Sequence, residues 1–177
     1  MDELASHTEL MNTQLAKVLL EEIEYEALAT GKLLDRIPEG KLDWRPHPKS
    51  MSLGELALHV ATIPAAMAAS LQLGGAEATD LLTHPSAASL AAIHAAWNNT
   101  IGYLRQNPIS TTAGEWSVKH AGQVAVTLPK ATVSRFFMLN HWYHHRGQLT
   151  VYLRLLDVPL PAVYVASADE NPFAEVT

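Results

Sequence analysis

His141-Trp142-Tyr143-His144-His145-Arg146-Gly147-Gln148-Leu149 is the stretch on which the fold turns. It sets three histidines within five residues of a segment that otherwise reads as helix, roughly from Ala131 to Leu156. Residues four apart on a helix lie on one face, one turn from each other. His141 and His145 have that spacing, by which two imidazoles share one metal ion. On the same projection Phe137, His141, Gln148, Tyr152 and Leu155 share an arc, with His144 and His145 at its margins. Nine histidines in 177 residues make one such pair an ordinary coincidence, so it needs a partner elsewhere. His59, in Leu56-Ala57-Leu58-His59-Val60, would complete a three-histidine site. The bland alternative is a set of hydrogen-bonded core histidines.

Three more stretches read as helices. The first runs from about Thr8 to Leu34 and stops at Arg36-Ile37-Pro38-Glu39-Gly40. Leu15, Val18, Leu19, Ile23, Ala27, Thr30 and Leu33 form its expected inward stripe, with Glu22 and Glu26 in the middle. Inward carboxylates are costly unless compensated. They either handle protons or orient a ligand histidine, or they pair with Arg135, Arg146 or Arg154. The prolines of Asp43-Trp44-Arg45-Pro46-His47-Pro48-Lys49 make a loop. Ser50 or Ser52 can then cap a second helix, with Glu55 in the capping-box position after Ser52. That helix runs through about Leu71, is apolar on nearly every side, and carries His59 one turn beyond Glu55.

Small and polar residues from Gly74 to Pro85 read as loop, and Ala87 to Gln106 as a third helix ended by Asn107-Pro108. Alternation at Val124, Val126 and Leu128 suggests a hairpin or extended excursion within Thr111 to Lys130. After Asp157 a proline-rich tail is expected to lie extended. The predicted fold is all-α, one domain over 1–177. It is a four-helix bundle with a short hairpin or extended excursion before the last helix and an extended C-terminal tail. Such bundles build metal sites from side chains on facing helices.

Composition narrows the function. The formal charge is -6 and the twelve basic residues are scattered, which argues against a nucleic-acid partner. Cysteine is absent, excluding disulfides and thiolate ligands, so any metal must use His, Asp, Glu or water. The acidic start Met1-Asp2-Glu3-Leu4 is no signal peptide, and no apolar stretch is expected to approach the roughly 20 residues that span a bilayer. A cytoplasmic protein with no membrane partner is the expectation.

Leu42-Asp43-Trp44-Arg45-Pro46-His47-Pro48-Lys49-Ser50, Leu53-Gly54-Glu55-Leu56-Ala57-Leu58-His59, and Asn140 through Leu149 follow one another in a specific order. With the tail around Val158-Pro159-Leu160-Pro161 and Ser167-Ala168-Asp169-Glu170, they resemble the DinB/YfiT-like superfamily of metal-dependent four-helix-bundle proteins. The resemblance covers most of the chain and is weakest over the third helix and the hairpin. It implies a divalent metal, zinc or nickel, held by His59, His141 and His145. His145 is preferred to His144 because the family pattern puts the second ligand directly before Arg-Gly-Gln. The tail departs from the pattern, since Tyr164 is followed by Val165-Ala166 rather than Gly-Pro. Relatives often pair, which implies a homodimer; the apolar second helix and the aromatic residues point the same way.

Three imidazoles leave a metal with open positions, the catalytic rather than the structural arrangement. Zinc can bring the pKa of its water to about 7, or take an incoming thiol as thiolate. The first chemistry makes a hydrolase; the second makes an S-transferase whose cosubstrate is a low-molecular-weight thiol. Either acts on a small molecule, and Arg45, Arg135 and Arg146 are the cations available to bind carboxylates. The competing reading is a non-catalytic, metal-stabilised bundle with a binding role in stress, which a fourth protein ligand such as Glu22 or Glu26 would favour.

Neighbouring residues carry open roles. Gln148 either hydrogen-bonds a ligand or substrate or packs between helices, and Glu55 caps its helix or touches the metal. Gly147 is expected to permit close helix approach, and Trp44, Trp142 and Tyr143 to be core or interface aromatics. His7, His47, His84, His94 and His120 are placed outside the metal site.

Overall fold

The computed structural model describes residues 2–174. Its long helices are α1 (Asp2–Leu34), α2 (Leu53–Leu73), α4 (Leu90–Gln106) and α6 (His141–Leu155), with short helices α3 (Ala78–Leu82) and α5 (Lys130–Val133). Strands β1 (Gly75–Glu77), β2 (Glu115–His120) and β3 (Gln123–Pro129) form one sheet in that order. The chain is mostly helical, as expected, and the all-α expectation is corrected by this sheet.

Backbone proximity divides the chain into two compact units. The first comprises Met1–Glu24, Ile63–Thr83 and Ile101–Trp142. Its core includes Leu19, Ile23, Met67, Leu71, Trp116, Met138 and Trp142. Trp116 is fully buried, and its indole N–H donates to Ser70 Oγ at 3.1 Å, so the one polar atom of a large apolar residue is satisfied. The hairpin turns at Ala121 and Gly122, both at positive φ, the geometry that matches strand twist in two-residue turns. β1 adds to it in parallel, pairing Gly75 with Ser117 and Glu77 with Lys119. A Cβ on Gly75 would meet the Ser117 carbonyl oxygen at 2.5 Å, so only glycine fits there. The 74–85 segment, expected to be loop, therefore holds a strand and a helical turn. Its three strand residues are too few to show alternation.

The second unit comprises Tyr25–Thr62, His84–Thr100 and Tyr143–Thr177. Leu33, Leu34, Leu53, Leu56, Leu149 and Leu153 are buried in it, each worth roughly 1.5–3 kcal/mol of transfer free energy. The capping box forms as expected: the Ser52 N–H donates to Glu55 Oε2 at 2.7 Å and the Glu55 N–H to Ser52 Oγ at 3.2 Å. α6 ends where Asp157 takes a positive φ and the Val158 N–H bonds the Leu153 carbonyl, with Pro159 next. Among the described residues the tail beyond it carries no helix or strand and is tied down by Arg154–Asp169 at 2.5 Å and by Arg36–Glu170.

Several local expectations change. On α1, Leu15 and Val18 are exposed and Ala16 is buried in their place. The inward stripe is rotated because Leu10, Met11, Leu15 and Val18 carry apolar side chains on a second, outward face. α2, with mean hydropathy 1.5 over its most apolar window, is long and apolar enough to cross a membrane, contrary to the sequence estimate. Of that window 56% is buried inside the protein, as in a core helix. The last helix is continuous from Lys130 to Leu155 but is π-helical over Ser134–Asn140. A π segment shifts the side-chain phase, so Phe137 leaves the arc predicted for it and is 40% exposed, with its ring 6.2 Å from that of Trp116. Leu155, at the far end of that arc, is exposed as well.

Candidate metal centre

α6 begins at the π-to-α junction, where the His141 N–H bonds the carbonyls of Phe136, five residues back, and Met138. The helix then returns to 3.6 residues per turn, which sets His141 and His145 on one face. α2 supplies His59, three residues before Thr62, whose hydroxyl donates to the Leu58 carbonyl at 2.9 Å. One ring nitrogen from each of His59, His141 and His145 lies within 4.8 Å of the others. The His59 and His145 rings are 4.6 Å apart at 77°. His145 is buried, while His59 and His141 are half-buried.

Gln148 reaches His145 from the next turn, with His145 Nδ1 and Gln148 Oε1 2.8 Å apart. An amide oxygen only accepts, so Nδ1 is the donor in this contact, and in the neutral ring that tautomer leaves the Nε2 lone pair for a metal. A fixed tautomer of this kind is how metal-bound histidines are oriented. The donor set fits a divalent ion: three neutral nitrogens, no thiolate, and one ring already held. It leaves coordination positions that no other member of the group fills.

The acidic residues divide as the sequence allowed. Glu22 accepts from Arg135 Nη1 through both oxygens at 2.8 Å. Glu26 pairs with Arg146 at 2.5 Å, both nearly buried, and Arg146 also donates to the Glu26 carbonyl, Thr30 Oγ1 and Tyr164 Oη. Arg154 pairs with Asp169 instead of either. The Tyr164 phenol is pushed above its ordinary value, chiefly by desolvation of its hydroxyl end, with the Glu26 carboxylate adding and Arg146 opposing. Glu55 caps α2 and lies 3.7 Å from Arg45.

One expectation fails here. A Cβ on Gly147 would meet nothing within 4 Å, so it permits no close helix approach; it lines a cavity of about 420 Å³ with Tyr143, Arg146, Thr150 and Tyr164. His84 lies outside the three-nitrogen group, as expected, although its ring stands 4.7 Å from that of His59. It lies in the segment between α3 and α4, where no periodicity points to it. His144 lies outside the three-nitrogen group, although its ring is 5.0 Å from that of His145.

A mostly helical chain with a three-imidazole cluster on two of its helices is the class these features define. The DinB family's sequence profile matches residues 11–172, and the chain belongs to that family. The uncharacterized protein YrdA of Bacillus subtilis (strain 168) is 28% identical over 149 residues, covering 83% of this chain and 86% of that protein. In fold, the chain is similar to the crystal structure of the DinB-like protein YjoA from Bacillus subtilis. That match has a TM-score of 0.61 at 22% identity, over 82% of this chain and 96% of the other. A DinB-like protein from Bacillus cereus matches with a TM-score of 0.60 at 22% identity, over 82% and 95%.

Proposed function

We propose that this protein is a metal-dependent enzyme acting on a small molecule, with His59, His141 and His145 as ligands to zinc or nickel and α1, α2, α4 and α6 arranged as a four-helix bundle. The carrying observation is the convergence of three imidazole nitrogens from α2 and α6 within 4.8 Å. A divalent ion held there supplies Lewis acidity toward a water or a thiol. Gln148 fixes the donor atom of His145, and Arg146, locked to Glu26, is withdrawn from substrate binding. Hydrolysis and S-transfer with a low-molecular-weight thiol are the two reactions this donor set serves, and the absence of cysteine means that the thiol must come from solution. Arg45 and Arg135 are both already paired with carboxylates, which weighs against a strongly anionic cosubstrate.

The protein is placed in the cytoplasm in this reading, with neither membrane nor nucleic acid as partner, and as a homodimer. Trp142 and much of the apolar α2 are buried in the core, which weighs against them as the dimer surface. Leu10, Met11, Val18, Tyr25 and Leu28 on α1 are exposed instead.

A panel of esters and amides, run beside small thiols paired with electrophiles, tests the reaction. Turnover that requires added zinc or nickel and vanishes on chelation is expected in one panel only. Turnover that survives complete metal removal would refute both mechanisms. A stoichiometrically loaded protein inactive in both panels would favour the non-catalytic alternative, a metal-stabilised binding protein linked to stress.

A further inference from the structure

The segment between α3 and α4 brings a further imidazole beside His59. The His84 ring stands 4.7 Å from that of His59 at 81°, nearly the relation that His145 holds to His59, 4.6 Å at 77°. His59 thus meets two rings in the same way. Of these, His145 has a nitrogen in the compact group and His84 does not. His84 Nδ1 is buried and has no hydrogen-bond partner among the described residues. A buried polar nitrogen without a partner is costly, and such a group calls for a functional reason. His84 also differs from the other three in what holds it. They sit in α2 and α6, whereas His84 lies in a stretch with no helical or strand hydrogen bonds, so its ring can move without breaking a ladder.

Resting on the three-histidine reading above, we propose that His84 is a displaceable fourth ligand of the metal centre. Its neutral imidazole lone pair fills an open position while no substrate is bound, displacing a water, and the incoming water or thiol takes that position back. No bond to carbon changes and no redox partner is needed. The rigid helical triad holds the ion; the loop residue guards it. This reconciles four nitrogen donors, which would by themselves suggest a structural ion, with a site that can still open.

Cobalt(II) tests this, because its visible absorption reports coordination number and donor set without any turnover. Wild type, His84→Ala and the hairpin control His120→Ala are loaded with cobalt(II), and affinity is measured by chelator competition. His84→Ala is expected to change the visible band and to weaken affinity by at least about tenfold. Free imidazole should restore the wild-type band in His84→Ala, and His120→Ala should match wild type throughout. Rescue by imidazole separates a lost ligand from a merely disturbed loop. A wild-type spectrum and affinity in His84→Ala would overturn the assignment while leaving the triad intact. Failure of wild type itself to take up cobalt(II) would overturn the triad, and His84 with it.

Discussion

Nδ1 of His145 lies 2.8 Å from the side-chain oxygen of Gln148, three residues further along the same helix. Because Gln148 is itself exposed, it can be replaced without opening the core. Gln148→Leu removes the acceptor and frees the ring to rotate and to change tautomer. Metal affinity is expected to fall by roughly 10–100-fold with the melting temperature of the metal-free protein unchanged. Competition against a chromophoric chelator reads the first quantity, and unchanged affinity would show that the hydrogen bond does not orient a ligand.

Arg146 and Glu26 form a nearly dry ion pair, 3% and 12% exposed. Removing one partner strands the other charge. Arg146→Met should therefore cost about 3–5 kcal/mol in urea unfolding, and adding Glu26→Leu should recover much of that loss. If the double variant were as unstable as the single one, the damage would come from Tyr164 or Thr30 rather than from the stranded carboxylate.

Asp169 shows a pH dependence whose sign follows from its partners. The Arg154 guanidinium, and after it the Leu160 N–H, hold its carboxyl below the ordinary aspartate value. A depressed native value means that the group's contribution is present above the ordinary value and lost as pH falls through the native one. Asp169→Asn should flatten that acid limb, and protease sensitivity of the tail reads it directly. An identical acid profile in the variant would show that the tail is held by other contacts. Both side chains are solvated, so the effect is small and salt-sensitive.

Much of this was legible in sequence for definite reasons. The capping box at Ser52 and Glu55 and the i, i+4 pair at His141 and His145 are local signals, and local hydrogen bonds enforce them. Arginine pairing of Glu22 and Glu26 was one of two readings that the cost of an inward carboxylate left open, and it is the one that the ion pairs to Arg135 and Arg146 show. What escaped depends on distant residues. β1 exists because Gly75 tolerates the Ser117 carbonyl, forty-two positions away. The π segment leaves every residue helical in composition while shifting its phase, so Phe137 was misplaced. The ring contact of His84 with His59 could not be foreseen, because a loop residue has no period by which to be placed.

The exposed α1 stripe predicts association. Light scattering at micromolar concentration should give the mass of a dimer, and Val18→Glu should shift it to the 19.3 kDa monomer. A monomeric wild type would leave Met11 and Val18 as solvated apolar residues without a partner.

The most direct measurement is metal content by elemental analysis of wild type beside His59→Ala and His145→Ala, each checked for retained helix by circular dichroism. Stoichiometric zinc or nickel in wild type and almost none in either folded variant is the expected result. Metal retained in full by either folded variant, or absent from wild type after reconstitution, would contradict a shared ion at these imidazoles.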